Sequence, residues 1–232
     1  MIETAHTAIN CWVFDLDNTL YLPDTKLFSQ IDARMGKFIM HLVDCDAATA
    51  RMIQKRYFHD HGTTLAGLMR HHDVEPEAFL AFVHDIDLSP LKPCPQLRDG
   101  LAALPGQRHI FTNADADYAH RVLAARGIAD LFTQIVDIRA TGYVPKPETA
   151  AYQALARLIP DFTPAQSVFV DDMTRNLRPA KALGMTTVWL ANGSEAGERD
   201  HNPAHVDHHI DDLTTWLQDE ARLLVGLGES AS

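Results

Sequence analysis

Two regimes of hydrophobic patterning divide this chain. Over residues 27–86, apolar positions recur at helical spacing, with Ile31, Met35, Phe38, Ile39 and Leu42 forming one stripe. Residues 46–58 continue as a second helix, and Gly62-Thr-Thr64 breaks it. Leu65, Leu68 and Met69 add a further turn or two. Glu75-Pro76 opens another helix, whose apolar face is Phe79, Phe82 and Val83. No strand pattern occurs in this block.

Outside it, strand and helix alternate. The run Cys11-Trp-Val-Phe14 predicts a short buried strand. The proline-rich stretch 89–95 is a stiff connector. Beyond it the pattern predicts a helix over 96–104, a strand over 108–112, and a helix over 118–126 stopped by Gly127. A strand over 134–138, a helix over 149–159 and a strand over 166–170 follow. Next come a helix over 177–183 stopped by Gly184, a strand over 186–190, and a closing helix over 213–225 with Gly226 just past its end. Residues 226–232 read as a frayed tail.

Alternation of this kind implies an α/β fold, a doubly wound parallel sheet with helices on both faces. The helical block interrupts it just after the first strand. The expected division is a core of residues 1–24 and 90–232 and an all-helical insertion of residues 25–89. Loops at the C-terminal ends of such strands hold the ligands, so the insertion is expected to sit over the site as a cap. There is no internal repeat.

Composition narrows the partners. The 232 residues are 46% hydrophobic and carry a formal net charge of -11, enough for one substantial core and unsuited to polymeric nucleic acid. Three scattered cysteines, Cys11, Cys45 and Cys94, suggest reduced thiols and a cytoplasmic protein. The first ten residues lack a basic segment followed by an apolar one, so no signal peptide is expected. No apolar run approaches the roughly 20 residues that span a bilayer, so no membrane partner is expected.

Candidate chemistry gathers at the strand ends. Asp15 and Asp17 follow the first strand two residues apart, so both can face one way, and Asn18 and Thr19 then turn the chain. Two crowded acids repel unless a cation or substrate offsets them. The second strand ends in Thr112-Asn113, the loop after the third reaches Lys146 between two prolines, and the fourth ends in Asp171-Asp172. These residues fit phosphoryl transfer through a covalent intermediate. One carboxylate attacks phosphorus, and Mg²⁺ on carboxylate oxygens cancels charge. The neighbouring acid shuttles the proton, and Thr112 and Lys146 hold phosphate oxygens.

These motifs, in this order, resemble the four motifs of the haloacid dehalogenase (HAD) superfamily of phosphohydrolases, over roughly residues 11–190. The resemblance implies a Rossmann-type core with a small helical cap. It implies roles residue by residue: Asp15 as nucleophile and metal ligand, and Asp17 as acid/base with its carbonyl on the metal. Thr112 and Asn113 match the phosphate-binding pair. Lys146 bridges nucleophile and phosphate. Asp171 is a direct metal ligand, and Asp172 a direct or indirect one. An acid at Asp17 resembles the phosphatases of the superfamily rather than its dehalogenases.

The phrases Asp17-Asn-Thr-Leu-Tyr21, Gly62-Thr-Thr-Leu-Ala-Gly67, Phe111-Thr-Asn-Ala114, Gly127-Ile-Ala-Asp-Leu-Phe132 and Asp171-Asp-Met-Thr-Arg-Asn176 are similar to the pyrimidine 5′-nucleotidase branch. That branch implies a nucleoside monophosphate such as UMP or CMP as substrate. The alternatives are a phosphoglycolate or sugar phosphatase, a phosphosugar mutase, or a non-catalytic phosphate-ligand binder.

Several residues carry a blander reading. The acids at 171 and 172 and Thr112-Asn113 can also cap the helices that follow. Asn176 is read as orienting the acidic loop. His59, His61, His71, His72, His208 and His209 lack the spacing of a zinc site and are read as solvated. Tyr21, Tyr57 and Tyr143 have two readings, stacking on a base or packing in the core and rim. Arg139 and Arg175 suggest nothing beyond surface charge or loop support.

Overall fold

The computed structural model describes residues 9–193, 197 and 202–219. Its centre is a six-stranded, all-parallel sheet in the order β3-β2-β1-β4-β5-β6. The strands are β1 (Cys11–Phe14), β2 (Gln107–Phe111), β3 (Gln134–Val136), β4 (Ser167–Asp171), β5 (Thr186–Leu190) and β6 (His208–Ile210). Strand β1 lies between β2 and β4, with Phe14 level with Ile110 on one side and Val170 on the other.

All four β1 residues are buried because both faces of the sheet are covered. Trp12 and Phe14 join one apolar cluster, with residues of α5 (Pro95–Ala103), α6 (Ala116–Arg126) and α9 (Leu213–Asp219). Cys11 and Val13 join the other, with residues of α7 (Thr149–Leu158) and α8 (Thr174–Leu183).

Four helices are inserted between β1 and α5: α1 (Leu27–Val43), α2 (Ala47–His61), α3 (Thr64–His72) and α4 (Pro76–Val83). Their starts follow from local chemistry. The Asp46 carboxylate accepts from the Thr49 N–H at 2.8 Å to open α2, and the Thr63 hydroxyl accepts from the Ala66 N–H at 3.1 Å to open α3. Proline at the first position opens α4. The insertion has its own apolar interior, where Phe38 meets Phe79 and Phe82 with ring centroids 5.1 and 5.7 Å apart. None of the described helices is long and apolar enough to cross a membrane.

The fold is the expected one, and the differences are local. Helix α6 begins at Ala116 rather than at 118, because Asp115 caps it by accepting from the Tyr118 N–H. Strand β3 stops at Val136, because the Asp137 carboxylate takes the N–H groups of Ala116 and Ala140 and turns the chain. Helix α8 starts at Thr174, three residues earlier than the apolar periodicity indicates. Strand β6 was not anticipated: it has three residues, two of them histidines, at the sheet edge. Residues 220–225 of the expected closing helix, the expected frayed tail and residues 1–8 lie outside the described residues.

Candidate active site

The sheet order reverses at β1, whose neighbours β2 and β4 lead to opposite edges, and ligands of open α/β sheets bind beyond the strand ends at such a point. Asp15 continues β1 by one residue, its N–H bonding to the Val170 carbonyl at 2.9 Å. The turn then begins at Asp17, one residue earlier than expected, and Asn18 takes a left-handed conformation at φ 59°. Asparagine tolerates that region better than most residues.

Lys146 is the centre of the site. Only 1% exposed, its ammonium donates to Asp15 Oδ1 at 2.6 Å and to Asp171 Oδ2 at 2.8 Å. Burial alone would lower its pKa; the two carboxylates outweigh that and hold it above the ordinary lysine value. Asn113 fixes the backbone beneath it: its Oδ1 accepts from the Lys146 N–H at 2.8 Å and its Nδ2 donates to the Lys146 carbonyl at 3.2 Å. The Thr112 hydroxyl, also buried, accepts from the Ala114 N–H at 3.0 Å.

Asp15, Asp171 and Asp172 converge, each with a carboxylate oxygen within 4.8 Å of the others. Burial, with Asp171 and Asp17 nearby, pushes the Asp15 carboxyl up to about 7, despite Lys146. Burial, then Asp171 and Asp15, raise Asp172 well above the ordinary carboxylate value. A single ammonium does not neutralise three clustered acids. Such a set of hard oxygens suits a divalent cation such as Mg²⁺.

Supporting contacts hold the cluster in place. Asn176 donates to both oxygens of Asp171 at 3.0 Å, as expected of a residue that orients the acidic loop. The Met173 N–H donates to Asp171 Oδ1 at 2.8 Å. Asn192 donates to the Asn18 carbonyl at 2.7 Å and to Asp172 Oδ2 at 3.3 Å. The Thr19 hydroxyl donates to Asp15 Oδ2 at 3.2 Å, so both oxygens of Asp15 are engaged. The sequence marks Thr19 only as a turn residue.

The side chain of Asp17 stands beside this cluster, near enough for its charge to raise the Asp15 pKa, and is held by two hydroxyls. Its Oδ1 accepts from the hydroxyl of Tyr21 at 2.5 Å and from that of Tyr118 at 2.9 Å. Burial first, then the Asp17 charge, raise both tyrosine pKa values well above the ordinary one, so both hydroxyls keep their protons. Tyr21 therefore packs in the core. Tyr57 is buried and stacks on His71 at 5.1 Å, and the Tyr143 hydroxyl meets Glu77 at 2.6 Å.

Cap and core touch through Arg139 and Arg175, which the sequence marks only as surface charge or loop support. Arg139 forks onto Glu77 of α4, with Nη2 2.7 Å from Oε2, and reaches Asp117 of α6 at 3.1 Å. Arg175 donates to the Gly62 carbonyl at 3.0 Å and lies 4.3 Å from the centre of the Phe58 ring. Gly62 itself sits over the Lys146 loop: a Cβ there would be 3.5 Å from the Lys146 carbonyl oxygen. The histidines gather no third metal ligand among the described residues. They are not all solvated singly, since His61 and His71 face each other at 2.9 Å and His209 stacks on Trp189 at 4.6 Å.

This parallel sheet, with its helical insertion and acidic cluster at the strand ends, defines a protein of the α/β class with a candidate divalent-cation site. The sequence profile of haloacid dehalogenase-like hydrolases matches residues 9–184, and the chain belongs to that family. Among curated proteins, phosphate metabolism protein 8 of Saccharomyces cerevisiae is 27% identical over 188 residues, covering 74% of this chain and 58% of the yeast protein. The chain thus spans somewhat more than half the length of that relative. Among solved structures, a predicted phosphoglycolate phosphatase from Haemophilus somnus superposes with a TM-score of 0.61 at 18% identity, covering 91% of this chain and 98% of that one. The putative HAD-hydrolase YfnB from Bacillus subtilis, bound to magnesium, gives 0.58 at 16%, covering 94% and 99%. L-2-haloacid dehalogenase from Xanthobacter autotrophicus gives 0.58 at 20%, also covering 94% and 99%.

Proposed function

We propose that this protein is a Mg²⁺-dependent phosphomonoesterase that works through an aspartyl phosphate on Asp15, with a pyrimidine nucleoside monophosphate, UMP or CMP, as substrate. The observation that carries the mechanism is the Lys146 ammonium joining Asp15 to Asp171, with Asp172 beside them and Asp17 two residues along the chain. Asp15, Asp171, Asp172 and the Asp17 carbonyl would hold Mg²⁺, whose charge offsets that of the phosphate.

Asp15 then attacks phosphorus, and the bond to the leaving oxygen breaks. Asp17 gives that oxygen its proton. In the second half Asp17 takes a proton from water as the water attacks the acyl phosphate, releasing Asp15 and inorganic phosphate. Lys146 and the Thr112 hydroxyl hold phosphate oxygens, and Asn113, its side chain committed to Lys146, offers its N–H. Residues 25–89 act as the cap, over a core of residues 1–24 and 90–232, and exclude bulk water while admitting the one molecule that attacks the acyl phosphate.

The relative named for phosphate metabolism and the magnesium-bound YfnB support a phosphorylated small molecule and this metal. The nucleotidase reading rests on the five sequence phrases, one of them, Gly62 to Gly67, in the cap. The three free cysteines support a reducing compartment, the cytoplasm. The test is kcat/KM for UMP and CMP against AMP, phosphoglycolate and sugar phosphates. A preference of tenfold or more for UMP and CMP is expected. Equal or better turnover of the other esters would remove the nucleotidase reading.

A further inference from the structure

We propose that Tyr21 and Tyr118 are positioning residues that hold the carboxylate of Asp17 in the rotamer needed for proton transfer. The inference rests on the reading of Asp17 as acid/base. Both hydroxyls donate to the same oxygen, Oδ1, and they lie 3.1 Å from each other. Among the described residues no side chain or backbone N–H bonds to Oδ2. With Oδ1 fixed by two donors, Oδ2 is the oxygen left to carry the proton to the leaving group and to take it from water. A carboxylate held at one oxygen loses little freedom on reaching the transition state, and such preorganisation is a large part of catalysis by positioned groups.

The two tyrosines come from different parts of the fold. Tyr21 follows the β1 turn, and Tyr118 lies in the first turn of α6. Neither can move without disturbing buried neighbours, since they are 2% and 0% exposed. Tyr118 is clamped further. Its ring stacks on the His84 imidazole at 4.4 Å and 10°, and His84 Nδ1 pairs with Asp115 Oδ2. The other oxygen of Asp115 accepts from the Tyr118 N–H at 2.8 Å. Arg121 donates to the His84 carbonyl at 2.5 Å. His84 is the residue that ends α4, where the chain leaves the cap. The chain of contacts therefore runs from the cap exit through His84 and Tyr118 to Asp17.

Tyr21→Phe, Tyr118→Phe and the double variant test this, because phenylalanine keeps the rings in place and removes only the donors. The readout is kcat/KM for an alkyl ester, UMP, against p-nitrophenyl phosphate, whose leaving group departs as a stable anion and needs no acid. Asp17→Asn sets the scale. The double variant is expected to lose about 10- to 100-fold on UMP and less than about threefold on p-nitrophenyl phosphate. Single variants should fall between it and the parent protein, with thermal midpoints little changed. Equal losses on both esters, or none on either, would overturn the proposal while leaving Asp17 its role if Asp17→Asn alone is selective. An Asp17→Asn variant that shows no selectivity would overturn the acid/base reading and the positioning role with it.

Discussion

At the scale of the residue, Lys146 decides whether three acids can share one buried corner. Replacing it with methionine leaves Asp15 and Asp171 facing each other without a counter-charge. Removing one partner of a buried pair costs about 3–5 kcal/mol. Lys146→Met should therefore lower stability by about that amount in urea unfolding, and added Mg²⁺ should restore part of it. Unchanged stability would mean the ammonium does not offset the acids.

His109 shows the opposite situation. It is fully buried on β2 and neither ring nitrogen has a hydrogen-bond partner among the described residues. Burial lowers its pKa from 6.5 to about 4. The unfolded chain binds that proton more readily, so the stability tied to neutral His109 is complete above about pH 6.5 and is lost as pH falls towards 4. His109→Leu should flatten this part of the stability profile. It should also raise stability at neutral pH by about 1 kcal/mol, since no buried polar atom is left unpaired. An unchanged slope between pH 4 and 6.5 would assign it to other groups.

At the scale of the element, the cap is held together by close packing. A Cβ on Gly67 of α3 would lie 2.4 Å from Tyr57 Cβ on α2, so the glycine is needed for the two helices to approach. Gly67→Ala should cost about 1–3 kcal/mol in a thermal or chemical melt, as overpacking does. A neutral effect would show that α2 and α3 separate easily.

The same elements show what could be read from the chain and what could not. Strands β1, β4 and β5 were legible because each carries a short apolar run buried on both faces, and β2 because Ile110-Phe111 leads into the polar pair Thr112-Asn113. Strand β6 was not, since His208-His209-Ile210 has no run to detect and owes its conformation to pairing with β5. Asp15, Lys146, Asp171 and Asp172 were legible as polar residues at or beyond strand ends. Their supports were not: Tyr118 meets Asp17 across 101 positions and Asn192 meets Asn18 across 174. Contacts of that separation leave no local pattern. Arg139 and Arg175 were illegible for the same reason, since Glu77 and Gly62 come near only once the cap is folded.

At the scale of the whole molecule, a net charge of -11 and a site built from acids oppose the anionic substrate proposed for it. The conflict is resolved locally. One buried ammonium, a hydroxyl, oriented N–H groups and a cation held by carboxylates can reverse the field inside a cleft without changing the charge of the surface. The proposed reaction therefore needs metal and nucleophile together. The most direct test is release of inorganic phosphate from UMP, with and without Mg²⁺, by the full chain and by Asp15→Asn. Mg²⁺-dependent release by the parent protein is expected, and none by an Asp15→Asn variant that folds normally. Release that persists in Asp15→Asn, or that ignores Mg²⁺, would contradict it.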